Sequence, residues 1–258
     1  MRANLCGGPV LTKECRTVST VPSGLAGVDA TVEDVRAAIT ALRRHPANRT
    51  GWPRTSAAAS IRAARASAAL DGAPMALDLE AASVADPVIA GALRVAAGIG
   101  SMATVWSRSP LQALAKLHTL AAADLVAADN LGRPRTSDPE ISRRLNALVA
   151  TVTTNAWPGP VQVAVVHGEL LTMRPFGSAD GVVARGAARL AMISSGLDPA
   201  GLGVPEVAHL RSGARYRELA AGFATGETDA VGAWILEVCR CLIDGVREGV
   251  SIADAAVS

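Results

Sequence analysis

Alanine fills 52 of the 258 positions, and half the chain is apolar although only 3% of it is aromatic. Such a composition favours helices, because alanine has the highest intrinsic helix propensity. The alternation that a half-buried strand requires barely occurs: residues 161–166 form the one β-rich run, and Gln162 alone does not make it a strand. Apolar residues recur instead at spacings of three and four. The expectation is an all-α fold in one domain, with about eight helices joined by short connections. A chain of this length can bury a continuous core without disulfide or metal staples.

The cations are 23 arginines against two lysines, Lys13 and Lys116. That bias reads as coding composition, and the net charge of +2 is spread without a basic block, which argues against binding nucleic acid through its phosphates. No stretch gives 18 unbroken apolar residues and the first 13 residues lack an apolar leader core, so a cytoplasmic protein with no membrane association is expected. Cys6, Cys15, Cys239 and Cys241 form no CxxC pair. His45, His118, His167 and His209 are scattered, and neither set has a metal-ligand spacing.

Residues 1–30 hold Gly7-Gly8-Pro9 and Pro22-Ser23-Gly24 with little periodicity and read as a disordered tail. Residues 31–80 read as N-terminal helices and residues 81–250 as the helical core. The first helix is expected from Thr31, as N-cap, to the basic Arg43-Arg44-His45. A break from Pro46 to Pro53 precedes a small-residue helix over 55–70, closed by Asp71-Gly72-Ala73-Pro74. Asp86-Pro87 and Ser109-Pro110 each open a longer helix, and Ser137-Asp138-Pro139-Glu140 reads as a capping box. Further helices are expected over 161–173, 181–195, 212–223 and 229–247.

The segment from His167 to Pro199 is the most informative. Its centre, Arg174-Pro175-Phe176-Gly177-Ser178-Ala179-Asp180-Gly181-Val182-Val183-Ala184-Arg185, resembles the HPFxDGNGRxxR motif of the Fic (Fido) domain family. Pro175, Phe176, Gly181 and Arg185 keep the motif, His167 lies seven residues before it, and Ser195-Gly196-Leu197 closes the helix after it. Leu114 to His118 followed by Gly132-Arg133-Pro134-Arg135 resembles the family's preceding helix and GxxR segment. Ser67-Ala68-Ala69-Leu70-Asp71-Gly72 resembles its inhibitory helix, so the likeness covers about residues 60–247.

The resemblance implies a helical Fic-like fold and, in active members, transfer of AMP from ATP to a target hydroxyl (AMPylation) with the motif histidine as general base. Here that position is Arg174, whose guanidinium stays protonated at any working pH. The magnesium ligand of the motif is Ser178, its phosphate-clamping first arginine is Val182, and its Gly and Asn are Ala179 and Asp180. An aspartate heading the helix at Gly181 would cap the amides that a phosphate needs. The inhibitory acid and the second motif arginine correspond to Asp71 and Arg185, which are expected to pair across the site.

No residue is thus assigned a catalytic role and none a metal. The expectation is a pseudoenzyme acting as a binding or regulatory partner of an unidentified protein. Weak nucleotide binding and a homodimer are left open. The alternatives are a nucleotidyl- or phosphotransferase of altered chemistry, the one reading that brings ATP with magnesium as cofactor, and an all-α interaction scaffold.

Overall fold

The structure, a computed structural model, describes residues 25–75, 86–155 and 157–257, and among them all regular structure is helical. Among the described residues ten α-helices follow one another: α1 Val28–Arg44, α2 Pro46–Leu70, α3 Pro87–Arg108, α4 Pro110–Ala122, α5 Pro139–Thr154, α6 Gly159–Met173, α7 Asp180–Ser194, α8 Pro205–Ser212, α9 Ala214–Phe223 and α10 Thr228–Ala255. A short 3₁₀ turn, Ala128–Asn130, lies between α4 and α5. Proline occupies the first or second position of six helices, where its missing N–H costs no hydrogen bond.

Several boundaries differ from the sequence expectation, each for a local reason. Of the expected tail, residues 1–24 lie outside the described residues, and α1 starts at Val28 rather than after Thr31. Gly27, left-handed with φ 77°, takes the N-cap position, and the Thr31 hydroxyl donates back to the Gly27 carbonyl at 2.7 Å instead of capping. Val28 thereby joins Val32, Val35, Ile39 and Leu42 on the buried stripe.

The expected break at Pro46 to Pro53 is helix. Pro46 opens α2, and Pro53 is tolerated inside it because side chains tie the interrupted turn. The Thr55 hydroxyl donates to Asn48 Oδ1 at 2.7 Å, and Asn48 Nδ2 donates to the Leu42 carbonyl at 2.8 Å. In the expected capping box the cap is Asp138, which accepts from the Glu140 amide at 2.9 Å, and not Ser137. Ser109 sits at the N-cap of α4 without a side-chain bond, whereas Asp86 accepts from the Val88 and Ile89 amides as expected. Helix α8 was not foreseen, although Pro205 and Glu206 in its first turn carry the signal.

Helix α6 lies at the centre, buried continuously from Pro160 to Leu170. It packs against α5, α7, α9 and α10, and the Trp234 indole of α10 donates to its Ala164 carbonyl at 2.8 Å. Burial on all sides explains why the 161–166 run shows no clean helical period. Helix α3 is the one described helix long and apolar enough to cross a membrane by length and composition. Its Ile89, Val95, Ile99 and Trp106 are buried in the core, where it packs on α2, α4 and α7.

Candidate functional site

The loop between α6 and α7 carries the motif. Helix α6 ends as the pre-proline residue Arg174 turns left-handed, with φ 48° and ψ 60°. Arg174 is held there from both sides: its amide donates to the Leu170 carbonyl at 3.1 Å, and its carbonyl accepts from Arg135 Nη2 at 2.7 Å. The Arg135 amide also donates to the Pro175 carbonyl at 2.8 Å, so the 132–135 segment clamps the loop. Phe176 pins it to the core, stacked on His118 with ring centroids 4.2 Å apart and planes 6° apart.

His118 holds the Ser178 hydroxyl. The Gly132 amide donates to His118 Nδ1 at 2.9 Å, so Nε2 carries the proton and donates to Ser178 Oγ at 3.0 Å. Burial lowers the pKa of the ring further, leaving it neutral. A histidine in this tautomer cannot activate the serine. The hydroxyl, turned toward His118, is a neutral and poorer ligand for a hard cation, and the described residues contain no cluster of His, Cys, Asp and Glu fit for a metal. The residues present therefore do not fit the magnesium that the motif implies.

Ala179 precedes α7 in the left-handed region, φ 50°, so the turn keeps its shape although the motif glycine is missing. Asp180 departs from its expected role. It is the first residue of α7 rather than its cap, and its Oδ1 reaches back to accept the Phe176 amide at 2.9 Å. Its Oδ2 is buried without a partner, and burial pushes the carboxyl pKa up. The amides of α7 are thus left for another acid.

That acid is Asp71, and the end of α2 is built to deliver it. The Ala73 amide donates to the Ala68 carbonyl and the Gly72 amide to the Ala69 carbonyl, both at 3.0 Å. These two bonds form a Schellman motif, which needs the left-handed Gly72 at φ 94°. The motif fixes Asp71 at the C-cap, where its charge faces the unfavourable end of the α2 dipole. The carboxylate crosses instead to the N-terminus of α7: Oδ2 accepts from the Val182 amide at 3.1 Å and Oδ1 from Arg185 Nη2 at 2.7 Å. Gly181 permits the approach, since a Cβ there would overlap the Asp71 carboxylate.

Arg185, 3% exposed, makes further bonds to Ser67, with Nε donating to its hydroxyl at 2.7 Å and Nη2 to its carbonyl at 2.9 Å. Burial opposes the Arg185 charge, but Asp71 and Tyr216 outweigh it and raise the pKa. The expected pair between Asp71 and Arg185 therefore forms, and Ser67 holds the same guanidinium.

Behind Arg185 the network continues through side chains with no sequence signature. Arg185 interacts electrostatically with Tyr216, whose hydroxyl lies 2.8 Å from His167 Nε2, and His167 packs edge-on to His209 and Trp234. Both histidines are buried, and burial lowers both pKa values, that of His209 to about 4. The unfolded chain takes up protons below pH ~6.5 that these rings refuse when folded, so stability is lost as the pH falls from there toward 4. His209 alone should account for about 3 kcal/mol of that loss. Unfolding of the wild type and of His209→Gln at pH 7 and pH 4.5 measures it, and equal losses in the two proteins would refute the assignment.

Asp71, Arg174, Asp180, Gly181 and Arg185 all line one cavity of about 570 Å³, while Ser67, Gly72, Pro175, Phe176 and Ser178 support it from outside. Sequence reading missed the opposite wall, made by Val88, Leu125, Leu171, Tyr216 and Arg217. No motif marks these positions, and Tyr216, the sole tyrosine in the chain, was the one available hint.

No family model and no curated protein matches this sequence. Solved structures do match it. A Fic family protein from Desulfovibrio desulfuricans G20 is similar at a TM-score of 0.68 with 19% identity, over 90% of this chain and 75% of that one. Fic-1 from C. elegans is similar at a TM-score of 0.55 with 16% identity, over 88% of this chain and 72% of that one. Identities this low establish the fold alone.

Proposed function

Because the chain folds as a Fic domain, we propose that it is a degenerate form of one: a non-catalytic binding or regulatory protein that has lost AMP transfer from ATP to protein hydroxyls. The observation that carries this reading is the Asp71 carboxylate, seated on the Val182 amide and on Arg185 where a phosphate would bind. An anion arriving there meets a negative charge instead of orphan amides. The position of the motif's base is held by Arg174, a permanent cation that takes up no proton.

A transferase of altered chemistry would need another base. Asp180 is the cavity residue whose pKa moves in the required direction, but one of its oxygens is bound by the Phe176 amide and the other is sealed from solvent. The observations therefore favour the non-catalytic reading.

Calorimetric titration with ATP, ADP and AMP, with and without magnesium, tests the proposal. Weak binding that is indifferent to magnesium is expected. Tight magnesium-dependent binding would favour the transferase, and no binding at all the interaction scaffold. The single variant Arg174→His should label no protein with AMP, since metal ligand, clamp and free amides are still missing. Labelling by that variant would overturn this account of the site.

A further inference from the structure

Asp71 blocks the phosphate end of the cavity, yet about 570 Å³ of a half-open cleft lies around it, within the roughly 300–1,000 Å³ range of small-molecule sites. The walls of this space are aliphatic, with Leu70, Val88, Leu125 and Leu171 facing it from four separate segments. The one ring among the described lining residues belongs to Tyr216, which is 3% exposed and engaged by Arg185 and His167, so these residues offer no aromatic face to a base.

The charge in the cavity is unbalanced. Asp71 is neutralised by Arg185, and Asp180 is bound to the Phe176 amide. Two further cations, Arg174 and Arg217, lie exposed in the lining, and neither makes a side-chain hydrogen bond or ion pair to any described residue. An aliphatic chamber that sets two guanidinium groups against one remaining carboxylate, Asp180, is net positive and complementary to an apolar body carrying an anionic head.

We infer that this cavity binds a small amphipathic carboxylate, its aliphatic chain between the leucine-lined walls and its head on Arg174 and Arg217. The inference rests on the reading that Asp71 has closed the phosphate site. A ligand of this kind needs neither the Val182 amide nor the second motif arginine, the two groups that Asp71 occupies.

Decanoate below its micellar concentration is the probe, titrated into the full chain by calorimetry beside decylamine, decanol, octanoate and ATP with magnesium. Decanoate should bind, with octanoate weaker by roughly tenfold for the two methylenes lost. Decanol and decylamine should be weaker by roughly tenfold or more, because decanol offers a single neutral acceptor in place of a charge-assisted pair and decylammonium is repelled by the guanidinium groups. Arg217→Ala should weaken decanoate by roughly tenfold, and the double variant with Arg174→Ala should weaken it further. Ala221→Trp, at the exposed side of the wall, should block the chamber without touching the core.

No binding of decanoate, equal binding of decanol, or unchanged affinity in the double variant would each overturn the inference. Tight magnesium-dependent binding of ATP would instead overturn the reading of the site as degenerate, whatever decanoate does, so the two failures are distinguishable.

Discussion

Glu206→Ala should destabilise the fold by about 3–5 kcal/mol, because it leaves a buried guanidinium without its counter-charge. Arg189 on α7 and Glu206 on α8 are 5% and 6% exposed at their side chains, with Nε bound to Oε1 at 3.1 Å and Nη2 to Oε2 at 3.0 Å. Among the described residues the other acceptors of Arg189 are the Gly201 and Gly203 carbonyls, at 3.4 and 3.1 Å. These cannot replace a carboxylate. Burial opposes the charge of Arg189, and in the wild type Glu206, with Asp198, more than offsets it; once Glu206 is removed the guanidinium, protonated at any working pH, cannot escape the loss by giving up its proton.

In a chain of this size that loss should lower the melting temperature by about 10 °C. Urea unfolding would show a lower midpoint at unchanged slope. The double variant Arg189→Met with Glu206→Leu should recover most of the loss, since removing both charges also removes their desolvation cost. A single-variant loss under about 1 kcal/mol would mean that water reaches the pair.

Asp71→Ala should combine a smaller loss of stability with a gain of binding. Arg185 keeps its two bonds to Ser67 and its contact with Tyr216, and Asp71 is itself 25% exposed at its side chain, so the cost should be nearer 2–3 kcal/mol. The variant has a free Val182 amide at a helix N-terminus beside an unpaired guanidinium, an arrangement that attracts anions. Inorganic phosphate at tenfold its dissociation constant would then restore about 1.4 kcal/mol. Melting curves of wild type and variant in rising phosphate measure it: the variant should climb and the wild type stay level. Equal responses would mean that Asp71 is not what keeps anions out.

The same pair shows where sequence reasoning succeeded. Asp71 and Arg185 are 114 residues apart, and only the order and spacing of two motifs suggested that they meet. Beside them, the Asp180 reading failed because capping preference is a local rule, while the carboxylate obeyed the geometry of the preceding loop and bonded Phe176. The Pro46 to Pro53 break failed in the same way. Two prolines and a glycine predict interruption, and the bonds that rescue the helix come from Asn48 and Thr55, seven residues apart.

Alanine content and apolar spacing determined by themselves that the chain is helical, and proline and aspartate signals placed most helix starts, because these effects act within one or two turns. The motif resemblance carried the expectation of which family side chains are replaced, since residue identity is read directly from the sequence. Tertiary structure decided the rest. It set Asp71 on the α7 amides, fixed the His118 tautomer through Gly132, buried Tyr216 against Arg185, and brought Arg174 and Arg217 to one aliphatic cavity. Each of those outcomes needs elements from distant parts of the chain to meet at hydrogen-bond or van der Waals distance, and no window of sequence encodes that meeting.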